Sequence, residues 1–336
     1  MVRIGRGHRV SSETMRSTTR TIGRVAFGTA WLVMSACTPT QTHTSSPSEP
    51  SRVTVPEPDL QAMVVGTIDK DHLTQGGYPL SKLGDVFDAY KPDLVLVQIR
   101  PEAYKDNKLE DGPFEMAYVN TIAGSRGIDV EPIDYYKDAD YGASPPAADP
   151  AEADQYKMEA GWLDSLSPYT FEQANTRETS LKILDATNAS NRFLKGNPVW
   201  SRRVAWITHN AAEAVKKRKS KKVLAFVNIL LRPYVEMRLL ANGAVLREPV
   251  DVVNKAGESR ESGSVPQPVV VEWQRGLDRL RDKLPRRGPE RAPILAKIAI
   301  LEAAVNKQGA CCVSPNVLIP PPDPNAEERS DGKKKK

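Results

Sequence analysis

The side chains able to do chemistry recur in one kind of place. Ala62–Val65 runs into Gly66-Thr67-Ile68-Asp69, and Leu94–Ile99 carries Gln98, Arg100 and Glu102 at its end. Ile128–Ile133 closes on Asp134, and Val223–Val227 closes on Asn228. Carboxylates and amides so placed can hold a small ligand, bind a hard cation through oxygen, or move protons. Histidine is scarce. His8 and His43 precede the body, which leaves His72 and His209 within it. His209 shares a helical stretch with Trp206, Ile207 and Ala211 and reads as a packed or exposed helix residue. The chain has no G-x-S-x-G, no Walker A loop, no G-x-G-x-x-G turn and no C-x-x-C pair, so it lacks the local signatures of those chemistries.

The elements behind these residues follow from hydrophobic spacing. Leu94-Val95-Leu96-Val97 shows no polar alternation, so both of its faces should be buried. That pattern belongs to a parallel strand covered by helices on both sides, and it places Tyr90–Glu102 at the centre of a sheet. In open α/β sheets ligands sit beyond the carboxyl ends of the strands, where Asp69, Gln98, Arg100, Asp134 and Asn228 fall. Leu80, Leu83, Phe87 and Tyr90 mark one helix, and Phe114, Ala117, Tyr118 and Ile122 a second. Further helices are predicted over Ala151–Leu163, Tyr169–Ala189, Pro198–Lys217 and from Tyr234 to Leu240. Val245–Val253 contains Pro249 and reads as an edge strand. Val270–Leu284 and Pro293–Lys307 read as two amphipathic helices, the second with a core stripe of Leu295, Ile298, Ala299, Leu301 and Val305. The fold class expected is α/β: a mainly parallel sheet flanked by helices, with an additional helical C-terminal region.

The motifs taken in order resemble the TraB/Tiki/GumN-like superfamily, which includes ChaN-like and erythromycin-esterase-like proteins. The resemblance spans about Met63–Leu240. It rests on Gly66-Thr67, Lys91-Pro92-Asp93-Leu94-Val95-Leu96-Val97, Glu115-Met116-Ala117-Tyr118, Ile133-Asp134 and Trp200-Ser201-Arg202-Arg203. It implies a pocket formed by Asp69, His72, Gln98, Arg100, Glu115, Asp134, Arg202, Arg203 and Asn228. Hydrolases of that superfamily look metal-dependent, with histidine and glutamate ligands. Here Asp69 stands where the first motif has histidine, and Gln98 where the second strand has glutamate. Asn228 and Leu231 occupy the two ends of the second G-x-x-H, and Val204 stands where asparagine is common. Gln98 keeps the shape of glutamate without its charge, and Leu231 cannot ligate. A residual divalent-ion site from Asp69, Glu115 and Asp134 remains conceivable through oxygen ligation. The resemblance thus implies a domain that acts in binding or structure; the alternative is a metal-dependent hydrolase, peptidase- or esterase-like, with altered ligands.

Composition separates the ends of the chain from its body. The formal net charge is +5 over 336 residues. Arg3, Arg6, Arg9, Arg16, Arg20 and Arg24 oppose only Glu13 in the first 36 residues, so the rest is formally neutral. The basic excess belongs to the leader and does not indicate a nucleic-acid partner. Val25–Ala36 is an apolar run too short to span a bilayer and suited to a secretory signal. It ends in Met34-Ser35-Ala36-Cys37, which resembles a bacterial lipobox with Cys37 as the lipidated residue; Met15 is an alternative start. Thr38–Pro58 is Ser/Thr/Pro-rich and reads as a tether. The expected organisation is a signal peptide over 1–36, a tether over 37–58, the α/β domain over 59–312 and a Pro- and Lys-rich tail over 313–336. The expected location is the bacterial envelope, anchored by lipid (palmitate among the acyl groups) in the outer membrane and facing the periplasm. Cys311 and Cys312 are adjacent and far from Cys37, so no disulfide framework is expected.

Overall fold

In the computed structural model, residues 59–74, 76–137, 148–166, 169–256, 265–288 and 290–309 are described. Cys37, the leader, the tether, Cys311, Cys312 and the tail lie outside the described residues. The sheet contains β1 (Gln61–Thr67), β2 (Leu94–Val97), β3 (Asp129–Pro132), β4 (Lys222–Asn228) and β5 (Val245–Leu246). All four pairings are parallel, and the strand order is β3-β2-β4-β1-β5. The central strand is therefore β4. Tyr90–Glu102, expected at the centre, lies one place inward from the β3 edge.

Successive strand residues point to opposite faces, so doubly apolar strands generate two cores. Met63, Val65, Val95, Val97, Leu224 and Phe226 pack on one side against α1 (Ser81–Tyr90), α3 (Glu115–Ser125) and neighbouring helices. Ala62, Val64, Leu94, Leu96, Val223, Ala225 and Val227 pack on the other against α7 (Pro198–Arg218) and α8 (Arg232–Ala241). The fold is α/β with a parallel sheet flanked by helices. A helical C-terminal region of α10 (Gln267–Asp282) and α11 (Arg291–Gly309) packs onto the α1/α3 side.

Local sequence sets the boundaries. Helix α1 stops at Lys91, whose left-handed backbone (φ 53°) turns the chain into β2, where Asp93 accepts from the Lys221 and Lys222 amides. A short α2 (Pro101–Lys105) opens with proline at its first turn. Past β3, α4 (Ala153–Ser165) is followed by α5 (Phe171–Asn175) and α6 (Arg177–Phe193). The single helix expected over Tyr169–Ala189 is split because Thr176 is extended, and its hydroxyl accepts from the Thr179 amide as an N-cap.

Two further expectations are corrected. The strand expected over Val245–Val253 is only Val245–Leu246, and Pro249 opens α9 (Pro249–Ala256). Proline fits a first helical turn because that turn leaves its amides unbonded. In α11 the buried stripe is Ile298, Leu301 and Ala304, with Ile294 half-buried, while Leu295 and Ala299 are exposed. The apolar residues there surround the helix, so counting alone did not fix its rotation.

Because β5 is so short, β1 would present bare backbone groups on that side. Asn175 of α5 fills the gap. Its Oδ1 accepts from the Gly66 amide at 2.8 Å, its Nδ2 donates to the Tyr78 hydroxyl at 3.1 Å, and that hydroxyl donates to the Gly66 carbonyl at 2.8 Å. Arg232, the buried first residue of α8, crosses the same glycine, where a Cβ would lie 3.2 Å from its Cδ. Asn175→Ala leaves a buried amide without an acceptor, and the expected loss is about 1–3 kcal/mol. Urea denaturation checks this; an unchanged midpoint would contradict it.

Candidate functional site

Parallel strands deliver their carboxyl ends to one side of the sheet, and a cleft of about 410 Å³ opens there. Asp69, Gln98, Asp134, Arg203 and Asn228, all expected from the sequence, line it together. The first four strands in sequence supply four of them and α7 supplies Arg203. The walls are Phe114, Tyr136, Val199, Trp200, Leu230, Leu231, Ile300 and Leu301.

Apart from Asp69, the charged groups on this rim are engaged. Asp134, 1% exposed, accepts from Arg203 Nε at 2.9 Å and Arg203 Nη2 at 2.6 Å, and its Oδ1 also accepts from the Tyr135 amide. Arg100 makes a forked bond to Asp111, with Nη2 to Oδ1 at 2.7 Å and Nε to Oδ2 at 3.1 Å. Burial opposes ionisation of Asp111, but bonds from Arg100 and Tyr136, with the charges of Lys297 and Arg100, together outweigh it and hold the carboxyl below its ordinary value. The Tyr136 ring lies beneath two guanidinium groups, Arg100 at 4.2 Å and Arg203 at 5.6 Å, and its hydroxyl donates to the Asp111 carbonyl. Lys297 of α11 donates to the Glu110 and Asp111 carbonyls. Gln98 Oε1 accepts the Asn228 amide, which ties the end of β2 to β4, and Asn228 Oδ1 accepts the Leu230 amide at 3.0 Å.

Asp69 and Glu115 form the floor. Asp69 has a left-handed backbone (φ 49°) immediately after β1, a conformation that aspartate tolerates better than most residues. Behind it Glu115 is fully buried, with the Thr67 hydroxyl beside its carboxyl group. Burial first, then the charge on Asp69, push the Glu115 carboxyl up to about 8. Burial also raises Asp69, against the charge of Lys297. Burial thus favours the protonated form in this coupled pair of carboxyls.

No protein-family model, curated protein or solved structure matches this chain. The chemistry of the site rests on its own residues.

Those residues do not fit the divalent metal that the resemblance implies. Asp134 has both oxygens committed to Arg203, and Gln98 has its oxygen on a backbone amide. Leu231 is apolar. His72 is turned away from the cleft: its Nδ1 bonds to the Tyr78 carbonyl at 2.8 Å, and its Nε2 faces the Ile68 amide at 3.3 Å. With both nitrogens on backbone groups and the imidazole pushed down to about 4 by burial, His72 is a neutral structural side chain. Among the described residues no three His, Cys, Asp or Glu side chains gather as a metal-binding group. Asp69, Glu115 and Asp134, conceivable as a residual oxygen-ligand site, do not gather as a metal-binding group. Arg202 does not line the cleft, Arg100 lies beside it, and exposed His209 packs edge-on against Trp206.

Sequence reasoning missed the loop Glu110–Phe114 and the contribution of α11. Asp111-Gly112-Pro113 was a legible turn signal between β2 and α3; nothing local marked Lys297. Gly112 is needed for space, since a Cβ there would lie 2.5 Å from the Gln98 carbonyl oxygen. Gly112→Ala is expected to push this loop off β2 at a cost of about 1–3 kcal/mol. A thermal melt checks it, and a melt equal to that of the parent would contradict the contact.

Proposed function

We propose that this is a ligand-binding α/β domain of a lipid-anchored bacterial envelope protein, a degenerate relative of the TraB/Tiki/GumN-like superfamily that acts without catalysis. The observation that carries the reading is the state of the rim: Asp134 with Arg203, Asp111 with Arg100, and Gln98 with Asn228 are bonded to one another. A catalytic rim needs groups free to receive a substrate or a metal. This one offers a shaped cavity with aromatic and aliphatic walls and amides at its base, which suits a small uncharged molecule with an apolar part. The lipid anchor is supported by the Met34-Ser35-Ala36-Cys37 sequence and the tether after it.

Two experiments test this reading. Native mass spectrometry of the protein purified from envelopes is expected to show a small molecule that is lost in Val199→Trp, a substitution that adds bulk to the cleft wall. Retention in that variant would move the ligand elsewhere. Palmitate labelling in cells is expected to disappear with Cys37→Ser; persistent labelling would remove the anchor.

One observation favours a second reading, hydrolysis by paired carboxyls: Asp69 lines the cleft, Glu115 is buried behind it, and burial raises both carboxyls. In that reading Asp69→Asn abolishes turnover of a peptide or ester substrate while leaving ligand retention intact.

A further inference from the structure

We infer that the amino-terminal end of the sheet, opposite the cleft, is a docking face for an anionic phospholipid surface. The inference rests on the lipid-anchor reading for its biological setting and on geometry for its content. All five strands begin at this end, and α1, α3, α7 and α8 end there, at Tyr90, Ser125, Arg218 and Ala241. The α7 terminus and the turn into β4 read Lys216-Lys217-Arg218-Lys219-Ser220-Lys221. Lys217 and Arg218 are paired with Glu131 and Asp129 on β3. These two cations already serve the edge strand and the helix dipole. Lys216, Lys219 and Lys221 are exposed beyond that need, and their side chains have no acidic partner among the described residues.

Two apolar side chains share this end. Leu240, in the last turn of α8, is 46% exposed, and Val245, the first residue of β5, is 42% exposed. Lysines beside exposed aliphatic residues give the composition of an interfacial surface, charge for the headgroups and apolar groups for the acyl boundary. The chain also enters the domain here. The Gln61 amide donates to the Lys221 carbonyl at 2.7 Å, so the segment arriving from Cys37 joins the body beside the unpaired lysines.

The test uses the mature chain from residue 37 with Cys37→Ser, so that neither an acyl group nor the basic, apolar leader contributes, and vesicles of phosphatidylglycerol with phosphatidylcholine against phosphatidylcholine alone. Sedimentation is expected to show preferential, salt-sensitive binding to the anionic vesicles. Lys216→Glu with Lys219→Glu and Lys221→Glu is expected to weaken it by at least about tenfold, with circular dichroism unchanged. Leu240→Ser, which alters no charge, is expected to weaken binding without changing its salt dependence. Equal binding by the charge-reversed and parent chains would overturn the inference, as would equal binding to both vesicle types. Loss of the anchor reading would appear separately, in the palmitate labelling, and would leave this result unaffected.

Discussion

Replacing Arg203 with leucine is expected to destabilise the domain by about 3–5 kcal/mol, because it strands the Asp134 carboxylate in a site where it is 1% exposed. The Arg203 side chain is itself only 28% exposed, so solvent does little to screen the pair. The two hydrogen bonds at 2.6 and 2.9 Å match a guanidinium fork to a carboxylate, a geometry lysine cannot reproduce. For a body of this size the melting temperature should fall by roughly 2–4 °C per kcal/mol lost. Arg203→Lys should recover little of the loss. Arg203→Leu combined with Asp134→Leu should recover most of it, since removing both charges also removes the desolvation they suffer. A double variant no more stable than Arg203→Leu alone would mean that the carboxylate is not what the guanidinium compensates.

The second large effect concerns pH. Glu115 in the folded protein ionises near 8, against 4.5 for the ordinary side chain. The folded state therefore holds a proton that the unfolded chain has released, and stability falls as pH rises between these values. The contribution is complete below about 4.5 and lost above about 8, with a slope of up to about 1.4 kcal/mol per pH unit for one proton. Glu115→Gln removes the titrating group and should flatten that part of the profile, so the variant gains on the parent as pH rises from 5 to about 8. Denaturation midpoints across this range measure the slope. A parent profile that rises towards pH 8 would show that Glu115 is ionised in the fold.

Most of the architecture could be read from β2 and its neighbours. Leu94–Val97 lacks alternation because both faces meet helices, and that one fact implied parallel pairing, crossover helices and a site at the strand tips. The order of the strands was not legible, since the pattern of a doubly buried strand is the same in the second place as in the third. Pro249 shows a different limit. A proline is compatible with an edge strand and with a first helical turn, and only the packing of Val253 into the core selects the helix. At the site, Asp69, Gln98, Asp134, Arg203 and Asn228 were found because strand ends and a Trp-Arg motif announce themselves. Lys297 and Ile300 were not, because they reach the cleft from a helix far away in sequence that carries no signal of its own. The position of His72 was equally hidden: its type suggested a ligand, and only its two backbone contacts show that it serves the turn after β1.

The most direct test of a self-paired, binding rather than catalytic, cleft is the metal content of the protein purified without chelators. The expected result is no stoichiometric divalent ion, with the same trace level in Asp69→Ala and Glu115→Ala. One divalent ion per chain, lost in both variants, would contradict the account and favour the metal-dependent hydrolase reading.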